Sequence, residues 1–149
     1  MSKFVMRWPE LGLEVKCESI GVNEAACEVL VANLPIKAVQ GHEMVGGWCL
    51  HDRSVIFGKK AFGLRASELV QETMDEAPEG RISLLFPQTS GSELLVKYGE
   101  TVDNRKYVPV AQVVEEDLEV LKKAGRAQWK SATRTKEVIT VEFVAGEEK

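Results

Sequence analysis

The chain's two histidines each stand directly before a carboxylate, as His42-Glu43 and His51-Asp52, with Cys49 between the pairs. An imidazole or a carboxylate can move a proton, so His42 or Glu43 could serve as acid or base toward a small metabolite. The same residues could also ligate a metal, Cys49 as a soft donor. Their spacing matches no established zinc pattern, however, and hydrogen-bonded positions at a rim explain both histidines with fewer demands. Ser90 and Ser92 flank Gly91 without the Gly-x-Ser-x-Gly elbow of an activated nucleophile, and Gly46-Gly47 is too short to cradle a phosphate. Neither a metal nor a cofactor is expected.

The elements that must hold these residues are mostly strands. Phe4, Met6 and Trp8 alternate with polar or smaller neighbours, and after Pro9-Glu10 so do Leu13, Val15 and Cys17, which is the period of a half-buried hairpin. Asn23 and Glu24 open a helix carrying Ala26, Val29, Leu30 and Leu34, which Pro35 ends and which is expected to plug one end of a barrel. Strands are expected over residues 36–39, 53–57, 82–86, 94–98 and 107–114, with a hairpin turn at 87–92. Glu115-Glu116-Asp117 leads into a short helix with lysines at its end and Gly125 as its stop. Residues 59–78 read as an insertion or flap, with helical propensity over 67–74 and breakers at Ala77-Pro78-Glu79-Gly80. Ile139, Val141 and Phe143 alternate as a closing strand, and 145–149 read as a frayed tail. Many short antiparallel strands with few helices point to a closed barrel, because closure removes edges that template aggregation.

A length of 149 residues suits one domain, able to bury roughly two-thirds of its unfolded surface. The net charge of −4 and the scattered Lys and Arg argue against a nucleic-acid surface. Lys3 and Arg7 interrupt the first apolar stretch, so it does not read as a signal peptide, and no later run is long enough to cross a membrane. A cytoplasmic protein is the expectation, with Cys17, Cys27 and Cys49 as reduced thiols in apolar surroundings. A homo-oligomer is expected only on the general frequency of symmetric assemblies.

Pro87-x-Thr89-x-Gly91-Ser92-x-Leu94-Leu95-Val96 resembles the Pro-x-Thr-x-Gly-Ser-Gln-Phe-Phe-Ile segment of cyclophilins, and 107–115 resembles their strand ending in Val-Val-Glu. Leu34-Pro35, His42-x-Met44-x-x-Gly47 and Tyr98-Gly99 are similar to motifs of bacterial and archaeal cyclophilin-like families of uncharacterised function. The resemblance implies a mainly β fold, a closed antiparallel cyclophilin-like barrel with a few short helices. Prolyl isomerisation needs a positioned donor to the prolyl nitrogen and an apolar groove. Here the family's His-Arg is His42-Glu43, its aromatic wall is Leu95, its loop tryptophan falls near Val102, and its strand-opening histidine is Tyr107. An ionised carboxylate has no proton to donate, so isomerase activity is not expected.

The resemblance brings the segments around His42, Glu43, Met44 and Trp48 to one face with Tyr98, Glu100 and Arg105. Met and aromatic groups would hold an apolar ligand body, His42, Glu100 and Arg105 would orient polar ends, with Arg105 favouring a carboxylate, and Glu43 is a further expected ligand-binding residue. The expected function is binding of a small organic molecule or short peptide at the barrel mouth. A small-metabolite enzyme, a residual peptidyl-prolyl isomerase and a protein-interaction module are the alternatives.

Overall fold

The computed structural model describes residues 2–52, 66–85 and 93–146. The first hairpin forms as its alternation requires. Strands β1 (Lys3–Trp8) and β2 (Leu13–Ser19) pair from Lys3↔Glu18 to Trp8↔Leu13 across a 3-10 turn, Pro9–Leu11, that ends at Gly12 with φ 64°. Phe4, Met6, Trp8, Val15 and Cys17 are buried. The chain continues through α1 (Glu24–Ala32), β3 (Ile36–His42), β4 (Gly47–Asp52), β5 (Glu72–Thr73), β6 (Arg81–Leu85), β7 (Glu93–Thr101), β8 (Lys106–Val113), α2 (Leu118–Lys130) and β9 (Thr140–Ala145).

Hydrogen-bonded neighbours run β2-β1-β9-β3-β4-β7-β6-β8, and β8 returns to β2 through Cys17↔Val113, Glu18↔Gln112 and Ser19↔Ala111. Eight antiparallel strands therefore close into a barrel, and β5 stands outside the ring on the start of β8. Between the β5 and β2 pairings, the Asn23 side chain donates to Val70 O (2.9 Å) and Pro109 O (2.8 Å) and accepts from Val70 N (3.0 Å). Asn23 thus bridges the gap in the ladder with its amide, and it does not cap α1 through its side chain as its position suggested.

Several expected boundaries shift. The strand begun at Ile36 runs to His42, and the glycine-bearing stretch after it is a hairpin whose second strand is β4. The described part of the expected insertion is not a flap. It holds a 3-10 turn, Ala66–Glu68, then β5, and a turn that buries Met74 and Ala77. This strap lies on the outer face of the barrel, where Met74 clusters with Cys49, Leu95 and Tyr107. Lys97, also buried, donates Nζ to Met74 O (2.8 Å) and Asp75 O (3.4 Å). Leu94 through Tyr98 are consequently buried on both faces. Ala145 pairs with Phe4 inside β9 and is not frayed. The expected strand at 53–57, the turn at 87–92, the start of the insertion and the last three positions of the tail lie outside the described residues.

The largest change is α2. Gly125 is not its stop; the helix continues to Lys130 and ends in a π turn, Ser131–Thr135, with Lys136 at φ 60°. Leu121, Ala124, Gly125 and Gln128 are its buried residues, at the spacing of one helix face. Its contacts reach β2, β3, β4 and β7, members spread around the ring, so α2 lies across an opening of the barrel. α1 contributes Ala26, Cys27 and Leu30 to the same core and lies against β8.

A buried polar tie joins α2 to the strands. Gln40 Oε1 accepts from Trp8 Nε1 (2.5 Å) and from Gln128 Nε2 (3.0 Å), and all three residues are buried. Gln40→Leu leaves two buried donors without their acceptor and is expected to cost about 1–3 kcal/mol for each, more than Gln128→Leu, which leaves the Trp8 bond intact. Urea denaturation of both variants measures this; equal losses would show that the shared acceptor is not what matters.

Candidate functional site

At the end crossed by α2, β3 finishes at His42, residues 43–46 turn, and β4 begins at Gly47-Trp48. Backbone geometry fixes this corner. Gly47 has φ 112°, and a Cβ there would stand 2.6 Å from Glu100 O and 2.7 Å from Thr101 Cα. No other residue fits so close an approach at a positive φ. Trp48 covers Gly99, where a Cβ would come within 2.8 Å of the tryptophan's own Cβ. Gly125 faces the Tyr98 ring so closely that a Cβ would lie 2.5 Å from Cζ. Here glycine removes bulk so that an aromatic ring can rest on helix backbone.

His42 is the hub, 1% exposed. Its ring centroid is 5.7 Å from Trp48, 5.5 Å from Tyr98 and 4.8 Å from Trp129, all edge-to-face, and Trp48 meets Trp129 at 5.6 Å and 78°. Such arrangements place a ring's positive edge on another's negative face. His42 Nδ1 lies 2.7 Å from Glu43 O and Nε2 lies 2.6 Å from the Tyr98 hydroxyl. A carbonyl oxygen only accepts, so Nδ1 carries the proton; in the neutral ring Nε2 then accepts from Tyr98 Oη–H. Burial lowers the His42 pKa, against the opposing pull of the Glu43 carbonyl and carboxylate, so the neutral form is favoured. Burial also pushes Tyr98 up to about 12, which keeps its hydroxyl protonated.

Above this hub is an open cavity of about 330 Å³ lined by His42, Glu43, Met44, Trp48, Glu100 and Trp129, with Val45, Gly47, Thr101 and Val102. Met44, Val45 and Val102 are 59%, 88% and 77% exposed, an unusual concentration of apolar groups at one rim. Of the residues named from sequence, His42, Glu43, Met44, Trp48 and Glu100 line the cavity, and Tyr98 lies beneath it as the partner of His42. Arg105 is elsewhere engaged. Its Nε and Nη2 each donate to Asp103 at 3.0 Å, and its guanidinium lies 5.8 Å from the Tyr107 ring centre, so it does not line the cavity. Burial would raise the Asp103 carboxyl, but hydrogen bonds from Arg105 and Tyr107 hold it below its ordinary value.

Asp103 and Asp75 together fix the loop between β7 and β8. Asp75 Oδ1 accepts from Thr101 Oγ1 (2.9 Å) and Asp103 N (2.7 Å), and Tyr107 Oη donates to Asp103 (2.7 Å). The rim residues Thr101 and Val102 thus sit on a hydrogen-bonded frame. Trp129 is the aromatic lining residue absent from the expected site, along with Val45, Gly47, Thr101 and Val102. The signal for Trp129 was present: it stands four positions after Gly125, on the same helix face, once the helix is carried past that glycine.

Among the described residues no group of three or more His, Cys, Asp or Glu is arranged to hold a metal ion. No helix among the described residues is long and apolar enough to cross a membrane. Among the described residues, with both His42 nitrogens engaged, the carboxylates lining the cavity are Glu43 and Glu100, so charge pairing with a ligand falls to them.

The chain is similar to McbB. The structure of McbB in complex with tryptophan superposes with a TM-score of 0.84 at 28% identity, covering 98% of this chain and 45% of that one. This chain therefore spans less than half the length of McbB. No family model and no curated protein matches it.

Two outcomes test this geometry. Gly125→Ala, a change that favours an exposed helix by about 1 kcal/mol, is expected here to destabilise by about 1–3 kcal/mol because the Tyr98 ring must move; thermal unfolding gives the sign. His42, neutral in the fold, makes the unfolded chain the better proton binder once pH falls below its ordinary value near 6.5. Its stability contribution is therefore complete above that pH and declines as pH falls toward the lower folded pKa. Imidazole nitrogen NMR should show the Nδ1–H tautomer at neutral pH and His42 titrating below 6.5; protonation above that value would contradict the assignment.

Proposed function

We propose that this chain binds a small aromatic molecule, of the class to which tryptophan belongs, at the barrel mouth. The observation that carries the reading is the pair of indoles, Trp48 and Trp129, set at 78° over a buried neutral His42 and opening into a cavity of about 330 Å³. That volume is at the lower end for small-molecule sites, and its lining has their usual character, mostly apolar with a few polar groups. The likeness to a protein solved with tryptophan supports the same ligand class. Kinship with cyclophilin-like proteins rests on the barrel together with the sequence motifs.

The absence of prolyl isomerase activity forms part of this reading, on two grounds. Glu43 lines the mouth where a donor is needed, and Leu95 and Tyr107 are committed to the cluster beneath Met74 instead of forming a groove wall.

Titration with indole, phenol and aliphatic compounds, followed by calorimetry, tests the proposal. Indole compounds should bind and aliphatic ones should not, and Trp48→Ala should weaken binding by about 1–3 kcal/mol through lost ring contact. Retention of full affinity in both Trp48→Ala and Trp129→Ala would move the site away from this mouth.

A further inference from the structure

The cavity's charge narrows the ligand further, and this step rests on the aromatic-site reading above. Glu43 and Glu100 are among its lining residues, and no Lys or Arg is found among the described residues that line it. His42, the remaining titratable group of the lining, is neutral, with its two nitrogens engaged by Glu43 O and Tyr98 Oη. Arg105, close enough to act electrostatically on Glu43, does not line the cavity and gives two side-chain hydrogen bonds to Asp103. Trp48 and Trp129 both line the cavity, and an indole ring attracts a cation more than an anion.

A free amino acid brings both an ammonium and a carboxylate to this mouth. The ammonium meets two carboxylates and two indoles. The carboxylate meets the same negative groups with no Lys or Arg among the described lining residues, and like charges close together repel.

We propose that the site selects an aromatic amine, in which the carboxylate of the amino acid is absent. Glu43 and Glu100 receive the ammonium, and the ring lies against Trp48 and Trp129. Such a ligand is the product of a decarboxylation of an aromatic amino acid, so that class of reaction would supply it.

The test is calorimetric binding of five probes to the full chain at neutral pH: 3-methylindole, tryptamine, L-tryptophan, its methyl ester and indole-3-propionate. Tryptamine and the methyl ester should bind at least about tenfold tighter than tryptophan, and indole-3-propionate weakest of all. In Glu43→Gln/Glu100→Gln the tryptamine advantage should collapse while 3-methylindole binds as before, which also shows that the variant is folded. If tryptophan or indole-3-propionate matches tryptamine while 3-methylindole binds, the amine preference is wrong and the aromatic site stands. If no probe binds, the aromatic-site reading fails and the amine preference fails with it.

Discussion

The rest of the mouth depends on the contact between the Tyr98 ring and the backbone of Gly125. A side chain at 125 would lift α2 from β7, because its first carbon would already overlap the ring. With glycine there, the helix settles directly on the tyrosine. Tyr98 is thereby held where its hydroxyl reaches His42, and Trp129, one turn farther along, is brought down beside the same imidazole. Strand, helix and hairpin thus meet at one neutral ring. Most of that arrangement follows from an atom that is missing.

The site divides into a dry floor and a wet rim. On the floor, His42, Tyr98 and the edges of two indoles satisfy one another, with each buried polar atom of the imidazole given a partner. Such a floor is rigid, since any rotation of the ring strands a donor or an acceptor. The rim is different: Met44, Val45 and Val102 face solvent beside Glu43 and Glu100. The loop carrying Val102 is nonetheless braced from below by Asp75 and Asp103, so that side of the rim has a fixed frame beneath adaptable side chains. Rigidity before binding reduces the ordering cost that a ligand must offset.

The barrel was legible because its signal is periodic. Phe4, Met6 and Trp8 against Leu13, Val15 and Cys17, and later Val141 and Phe143, alternate as one-sided strands must, and they pair as such. β7 was legible as a strand but not in full, since a strap covers its outer face and erases the alternation. Gly125 was misread for a physical reason. A glycine that ends a helix and a glycine that admits a ring look identical in one sequence, and only the tertiary contact separates them. Trp129 was lost with that reading. Arg105 failed differently: its true partner, Asp103, stands two positions away, and a local pair in a loop satisfies the guanidinium before any ligand arrives.

The three buried thiols make this fold its own recorder. Cys17 sits on the β2–β8 seam, Cys27 on the buried side of α1, and Cys49 beneath the outer strap with Met74. None is in a disulfide, and burial raises all three pKa values, Cys27 to about 11 and Cys49 to about 12. An alkylating reagent consumes thiolate, so each sulfur stays silent until its own cover lifts and water reaches it. The order in which the three sulfurs acquire label is a chronology of the fold's loosening: seam, helix and strap each leave a separate mark, with no foreign probe introduced.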